Sequence, residues 1–227
     1  MQVVALGPFV VNLSLLLAAA SALAGYIALA WRLRTAQSEG RKETLDRLLN
    51  LFIVAVLIWK FSPLVLDFPS VVRHPVSLLY FTGGTKGLLL AGVYALGALL
   101  YGARKRGLPL LHDADAALTW LLAGLGVHRL LAYSAPLEPA PGVWLLGETL
   151  LAAVLVGLQL RAKRPLGEAY PLTVTVMWYG IGRFALTLPG RVPGELPLGF
   201  TGGQLALLVA ACLSFVIKIL LERRNEL

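Results

Sequence analysis

The chain has 227 residues, of which 58% are hydrophobic and 14% are charged, and its mean hydropathy is +0.77. Soluble domains carry about 25% charged residues, so this composition excludes an ordinary soluble protein and predicts an all-α, polytopic integral membrane protein. The single cysteine, Cys212, excludes an intramolecular disulfide, and the three histidines are scattered without metal-ligand spacing. We therefore expect neither a metal nor another cofactor.

The first segment of the chain is apolar and runs into the small residues of "SALAG", as a signal peptide does. No basic residue precedes it, unlike in a signal peptide, so we interpret it as a first membrane span. A membrane helix needs about 20 mostly apolar residues. Seven segments meet this requirement and predict one seven-span domain over residues 1–227: 8–31, 48–67, 87–103, 115–133, 142–160, 169–188 and 202–221.

Basic residues are distributed unequally between the connecting segments. Fourteen lie in segments 32–47, 104–106 and 161–164 and at the C-terminal end, whereas the alternate segments hold only three. Since Lys and Arg concentrate in cytoplasmic loops, the asymmetry predicts an outside N-terminus and a cytoplasmic C-terminus. It also explains the formal net charge of +8 without a nucleic-acid partner.

Three further basic residues lie within predicted spans: Lys60, Arg129 and Arg183. At 1.5 Å per helical residue, these three, together with Glu148 and Lys86, fall within about 10 Å of the outer membrane edge. One carboxylate cannot balance this many cations. The surplus predicts an anionic ligand, which at this depth is a lipid phosphate, and the planar fork of arginine suits phosphate oxygens.

Other interpretations of these residues stay open. Long basic side chains near helix ends can extend to the membrane surface, which fits Lys86 and Lys60 better than the two arginines. Glu148 could pair with the arginines in a purely structural role. Glycines flank both arginines, in "GLGVHR" and "YGIGR", so the helices there either pack closely or leave the guanidinium accessible.

The tetrapeptide "FTGG" occurs twice, at 81–84 and at 200–203, before the third and seventh predicted spans. Glycines at a helix start could leave free N–H groups that bind an anion. Alternatively, the two matches are turn signals that recur by chance.

Several short motifs, taken in their order and spacing, resemble those of the prolipoprotein diacylglyceryl transferase family of the bacterial inner membrane. Enzymes of this family move a diacylglyceryl group from phosphatidylglycerol to a lipobox cysteine. The resemblance covers most of the chain. The matching positions are Gly7 and Pro8, Gly83, Gly84 and Gly87, Asp115 followed fourteen residues later by Arg129 in "GLGVHR", "KRPLG", Tyr179, Gly180 and Arg183 in "YGIGR", and Gly203 with Gln204.

The chain departs from the family pattern at most other polar positions. Lys86 stands in place of a histidine, Ala132 in place of an asparagine, and Thr187 in place of an acidic residue. Lys60 replaces an arginine of the second span, and Ser14 takes the position of a tyrosine. The external head usually found between the fourth and fifth spans is reduced to "SAPLEPAPGV".

The resemblance implies that Arg129 and Arg183 hold the phosphate of phosphatidylglycerol while the thiolate of a lipobox preprolipoprotein attacks a glycerol carbon. The residues expected to assist at the phosphate are Lys60, Lys86, Gly83 and Gly84, and the supporting residues are Glu148, Tyr179, His128 and Gln204.

The family's base for the thiol is missing, so two replacements are considered. Lys86, kept neutral by burial, is the first. His128 is the second, but it lies about 100° around the helix from Arg129 and more readily packs against a neighbouring span. The missing polar positions also fit a non-catalytic relative that binds an anionic phospholipid or a membrane partner. A transporter fits least, because the inner halves of the spans look almost uncharged.

Overall fold

The described residues form a series of helices preceded by two paired antiparallel strands. The computed structural model of this chain describes residues 3–6, 9–36, 40–73, 83–107, 110–134, 142, 144–162, 166–188 and 200–225. Strand β1 (Val3–Leu6) pairs antiparallel with β2 (Phe9–Asn12). Residues 9–12, which were predicted to belong to the first span, are therefore extended, and the first helix starts five residues later than expected.

Seven helices of 18 to 25 residues follow the hairpin in the described part of the chain. With the two short helices between them, they are α1 (Leu13–Thr35), α2 (Arg41–Phe61), α3 (Pro63–Leu66), α4 (Phe68–Arg73), α5 (Gly84–Arg106), α6 (Leu110–Ser134), α7 (Trp144–Arg161), α8 (Ala169–Thr187) and α9 (Gly202–Asn225). Among the described residues, six helices are long and apolar enough to cross a membrane, and α8 is the long helix outside this set. The helical, multi-pass membrane class predicted from composition is confirmed.

Glycine and proline set several helix boundaries. Gly40 (φ 69°) precedes α2, and Gly107 (φ 62°) ends α5 while its N–H donates to the Gly102 carbonyl; both backbones adopt the left-handed conformation that favours glycine. Pro63 has no N–H to donate, and α2 ends at Phe61 just before it. The second predicted span, 48–67, is therefore interrupted near its C-terminal end.

The predicted connection 32–47 is mostly helical. Helix α1 continues to Thr35 and α2 begins at Arg41, so most of the segment predicted to connect the first two spans belongs to the helices themselves. The basic residues Arg32 and Arg47 instead lie on helices, where their side chains form ion pairs.

The chain divides into two compact units, one formed by Met1–Ser38 with Ala114–Leu227 and the other by Glu39–Asp113. We refer to them as unit 1 and unit 2. In unit 1, α9 packs most extensively on α8, and α8 also packs on α7. In unit 2, α2 packs along α5. Each unit is described by itself below.

A buried ion pair joins the helices at one end of unit 1. Arg32 on α1 donates from Nη1 to Asp115 Oδ1 (2.8 Å) and from Nη2 to Oδ2 (2.7 Å), and its Nη1 also donates to Thr119 (2.5 Å). Thr119 Oγ1 in turn lies 3.1 Å from the side-chain oxygen of Gln159 on α7. Asp115 is only 2% exposed and Arg32 5%.

This pair corrects two expectations. Asp115 was placed at a span end, where a charge is cheap, and Arg32 in a loop. Both are instead buried, and a bidentate arginine–carboxylate pair is the geometry that best offsets their desolvation. The prediction that this part of the spans is almost uncharged was therefore wrong for the helices that carry Arg32 and Asp115.

Close helix approach supports the same bundle at Gly25. A Cβ added to Gly25 would lie 2.3 Å from the Trp120 ring and 2.5 Å from the Trp120 carbonyl oxygen. The Trp120 indole N–H donates to the Ala22 carbonyl (3.0 Å), and its ring meets Tyr26 edge-on at 5.7 Å. Helices α1 and α6 therefore approach closely at a position that only glycine leaves open.

Replacing Asp115 should destabilise the protein strongly. Asp115→Asn leaves the Arg32 guanidinium buried without a countercharge, which we expect to lower the free energy of unfolding by about 3–5 kcal/mol. The measurement is chemical unfolding of the purified protein in neutral detergent. Asp46→Asn, at an exposed position of α2, is the control, and equal stability of the two variants would contradict the structural role of the pair.

Replacing Gly25 should also destabilise the protein, through overpacking. We expect Gly25→Ala to cost about 1–3 kcal/mol, whereas Gly157→Ala should be neutral or stabilising, because nothing lies within 4 Å of a Cβ built there. Thermal unfolding of the two variants in the same detergent makes the comparison. A harmless Gly25→Ala change would mean that α1 and α6 are farther apart than described.

Candidate anion-binding site

Three ionisable residues from three helices converge at the end of unit 1 opposite the Arg32–Asp115 pair. Arg129 lies five residues before the end of α6, Arg183 four residues before the end of α8, and Glu148 four residues after the start of α7. Neighbouring helices that run in opposite directions bring such positions to one level. The sequence placed these three residues at a common depth, and the structure brings them into contact.

Glu148 lies between the two arginines. Its Oε2 is 2.5 Å from Arg129 Nε, and its Oε1 accepts a hydrogen bond from Arg183 Nε at 3.1 Å. The carboxylate is only 3% exposed, so it depends on these two cations for its stability in a medium of low dielectric constant. Two guanidiniums share one carboxylate, and the three groups together carry a net charge of +1.

Both arginines retain donors that the protein does not fully use. Arg183 Nη1 hydrogen-bonds the Tyr179 hydroxyl at 3.0 Å, and the Arg129 guanidinium lies 5.5 Å from the centre of the Trp144 ring. Within the described ranges, Arg129 makes no hydrogen bond, since its contact with Glu148 is an ion pair without hydrogen-bond alignment. The side chains of Arg129 and Arg183 are 22% and 32% exposed, so part of each side chain is accessible to a ligand, although Arg129 Nε itself is buried.

A groove with a volume of about 530 Å³ adjoins Arg183, between the end of α8 and the start of α9. Hydroxyl and amide groups of Thr187, Thr201 and Gln204 line its polar part, and Ala206 and Leu207 continue it along α9. A groove that combines a guanidinium, neutral hydrogen-bonding groups and an aliphatic wall can hold a polar headgroup and the start of an acyl chain.

The glycines beside the arginines are sites of close helix packing. A Cβ at Gly126 would lie 3.0 Å from the Ala152 Cβ, and one at Gly182 would lie 2.6 Å from a methyl group of Leu151. Both contacts press the arginine-bearing helix against α7, which carries Glu148. Of the two roles considered for these glycines, the structure therefore shows the packing role.

The second "FTGG" motif forms a helix cap. The Thr201 N–H donates to Gln204 Oε1 (2.9 Å) and the Gln204 N–H donates to Thr201 Oγ1 (3.3 Å), which is a capping box. Gln204 Nε2 also donates to Thr187 Oγ1 (3.2 Å). The cap uses N–H groups that an anion would otherwise find free at this helix start, and the contact fixes the α8 end beside α9.

The first motif belongs to unit 2, and only Gly83 and Gly84 of it are among the described residues. A Cβ at Gly83 would lie 2.2 Å from the Trp59 carbonyl oxygen and 1.9 Å from Ser62 Oγ. The Gly84 carbonyl accepts a hydrogen bond from the Trp59 indole (3.2 Å). Here too the glycine permits close helix approach, and phosphate binding by Gly83 and Gly84 stays a prediction.

The remaining predicted site residues belong to different units of the chain. Lys60 and Lys86 lie in unit 2, near the end of α2 and the start of α5. Lys86 is exposed, so it lacks the burial that its expected role as a neutral base requires. His128 is partly buried. Gly7 and Pro8 lie outside the described residues.

The sequence predicted the charged residues of this site but not two of the contacts around them. It did not predict that Trp144 faces Arg129 or that Thr187 bonds Gln204. Neither contact has a local sequence signal, because each joins residues on different helices.

No protein-family model, curated protein or solved structure matches this chain. The family resemblance therefore depends on the motifs quoted above.

Removing the shared carboxylate should make stability depend on anions. Glu148→Gln leaves two adjacent guanidiniums without a countercharge, so we expect about 3–5 kcal/mol lower stability in phosphatidylcholine micelles. Added phosphatidylglycerol should restore part of this loss, because its phosphate replaces the missing negative charge. Thermal unfolding in the two lipids measures both effects. Glu168→Gln, at an exposed position, serves as the control, and a Glu148→Gln variant that responds equally to both lipids would argue against an anion site.

Proposed function

We propose that this protein is a seven-span membrane protein that binds an anionic phospholipid through Arg129 and Arg183 and acts as a prolipoprotein diacylglyceryl transferase. In this proposal α8 also spans the membrane, as the sixth of the seven spans, because it packs on both α7 and α9. The N-terminus lies outside and the C-terminus in the cytoplasm of a bacterial inner membrane, as the distribution of basic residues favours. The arginine cluster then lies in the outer half of the bilayer.

The observation that carries this proposal is the unbalanced cluster of two accessible arginines on one buried carboxylate. A structural ion pair would be neutral, as Arg32 with Asp115 is. Here one positive charge remains, next to a groove of about 530 Å³ with a polar and an aliphatic part. A phospholipid phosphate supplies the missing negative charge, and its acyl chains match the aliphatic wall and the surrounding membrane.

In the proposed transfer reaction, negative charge develops on the phosphate of the leaving group. A substrate thiolate attacks the glycerol carbon that carries the phosphate ester, a carbon–sulfur bond forms, and the carbon–oxygen bond to phosphate breaks. Glycerol phosphate leaves with the electron pair, and the thiol proton passes to a base. Guanidiniums placed at the phosphate stabilise the charge that grows on the leaving group, which is electrostatic catalysis of the oxyanion-hole kind.

A second candidate function is lipid binding without transfer. It is favoured by Thr187, which bonds Gln204 where the family has an acidic residue, and by the exposed Lys86. In this alternative the site holds the phospholipid as a structural ligand or presents it to a membrane partner. Both functions use the same two arginines and differ only in the chemical step.

The arginines should control lipid binding under either function. We expect Arg129→Gln and Arg183→Gln each to weaken phosphatidylglycerol binding at least about tenfold, since a hydrogen bond to a charged group contributes about 1.5–3 kcal/mol. Native mass spectrometry of the detergent-purified protein titrated with phosphatidylglycerol measures the affinity. Arg34→Gln, which removes an exposed arginine of α1, is the matched control. Unchanged lipid occupancy in both site variants would overturn the proposed function.

The chemical step is tested separately with a lipobox peptide and phosphatidylglycerol. Formation of a diacylglyceryl thioether on the peptide, lost in Arg129→Gln but retained in Arg34→Gln, is the expected result. Lipid binding without any thioether would leave the non-catalytic function as the correct one.

A further inference from the structure

Unit 2 contains a groove of its own, between α2 and α5, at the end where α2 begins and α5 ends. Its volume is about 300 Å³. Its polar lining consists of Arg47, Asn50, Tyr94, Tyr101 and Asp113, and the rest is aliphatic or glycine. None of these residues has a part in the arginine cluster of unit 1.

The charges around this groove are not balanced. Arg47 pairs with the buried Asp113, and Arg47 Nε makes no hydrogen bond among the described residues. His112 Nδ1 lies 3.6 Å from the same Asp113 carboxylate. Lys105 Nζ lies 5.2 Å from the centre of the Tyr101 ring, and no described carboxylate pairs with it. Lys105 does not line the groove, but its contact with Tyr101, which does, places one ammonium without a described carboxylate partner beside the groove.

The two acidic residues of α2 do not offset this charge within the groove. Glu43 and Asp46 are both exposed, and neither lines it. The groove thus contains a guanidinium paired with one carboxylate and is lined by two tyrosines, and the Lys105 ammonium lies beside it. Such a set of donors is complementary to an anion.

The form of the groove identifies the anion as a lipid headgroup. Its charged residues lie at the helix ends, while Leu51 and Val54 continue its wall one and two turns further along α2. Tyr94 and Tyr101 are both exposed, and tyrosines favour the boundary between apolar and polar membrane regions. Basic pockets between membrane helices on the cytoplasmic side bind the headgroups of anionic lipids.

We propose that this groove binds an anionic phospholipid of the cytoplasmic leaflet, with its phosphate between Arg47 and Lys105 and an acyl chain along Leu51 and Val54. This inference depends on the membrane orientation proposed above, but not on the arginine cluster or on transferase activity. The protein would then hold two anionic lipids, one from each leaflet.

Photocrosslinking can test the two sites separately. The full chain is placed in phosphatidylcholine nanodiscs that contain a photoreactive phosphatidylglycerol or, in parallel, a photoreactive phosphatidylcholine, and labelled peptides are mapped by mass spectrometry. We expect phosphatidylglycerol to label segments 47–54 and 94–105 more strongly than phosphatidylcholine does. Lys105→Gln should reduce this labelling about fivefold, the contribution of one basic residue near the membrane surface.

A control variant and a second groove variant complete the test. Lys42→Gln removes an exposed lysine of α2 outside the groove and should leave labelling unchanged. Tyr101→Leu removes a groove hydroxyl while keeping the Arg47–Asp113 pair, and should also reduce labelling. Equal labelling by the two lipids, or labelling that both groove variants retain, would overturn the inference.

The location of the label separates this inference from the proposed function. Labelling confined to the surroundings of Arg129 and Arg183 would overturn the inner-leaflet site and leave the outer site intact. Labelling confined to unit 2 would support the inner-leaflet site and overturn the proposed function.

Discussion

The burial of one carboxylate between two guanidiniums organises the candidate site of this protein. An ionised Glu148 inside a membrane helix is costly unless it is paired, and it is paired twice, from α6 and from α8. This requirement fixes the level and the rotation of three helices against one another. Glycines at the same level allow the approach, since Gly126 and Gly182 leave no room for a side chain against α7. The packing and the electrostatics therefore specify the same arrangement.

The two buried ionic groups of unit 1 differ in a way that separates structure from function. Both include a residue of α6, and Asp115 and Arg129 lie about 21 Å apart along that helix. The Arg32–Asp115 group is neutral, bidentate and almost fully buried, and Arg32 Nε is its one donor without a hydrogen-bond partner among the described residues. The Arg129–Glu148–Arg183 group has one charge in excess, partly exposed arginines and an adjoining groove. The second group combines the unbalanced charge with the larger of the two adjoining grooves, about 530 Å³ against about 160 Å³.

The sequence was informative about this site because membrane interiors make charged residues rare and therefore conspicuous. Hydropathy and the distribution of basic residues gave a common depth to Arg129, Arg183 and Glu148, and the structure brings these three together. The same reasoning placed Lys60 and Lys86 at that depth too, and both belong to unit 2. The same reasoning did not predict that Arg32 and Asp115 are buried and paired. Each lies at the end of an apolar segment, where a charged residue is expected to be exposed, and its partner is distant in sequence.

By itself, the sequence determined the number and approximate position of the long helices, the membrane class and the residues of the charged cluster, since these follow from local hydropathy and composition. Tertiary structure alone decided which charges pair, that Lys86 is exposed, and that the glycines serve packing while Thr201 and Gln204 cap a helix. It also decided that the chain begins with a hairpin rather than a longer first helix. The physical reason is that pairing and burial depend on which side of each helix faces a neighbour, and this rotation is set by contacts between segments far apart in the chain.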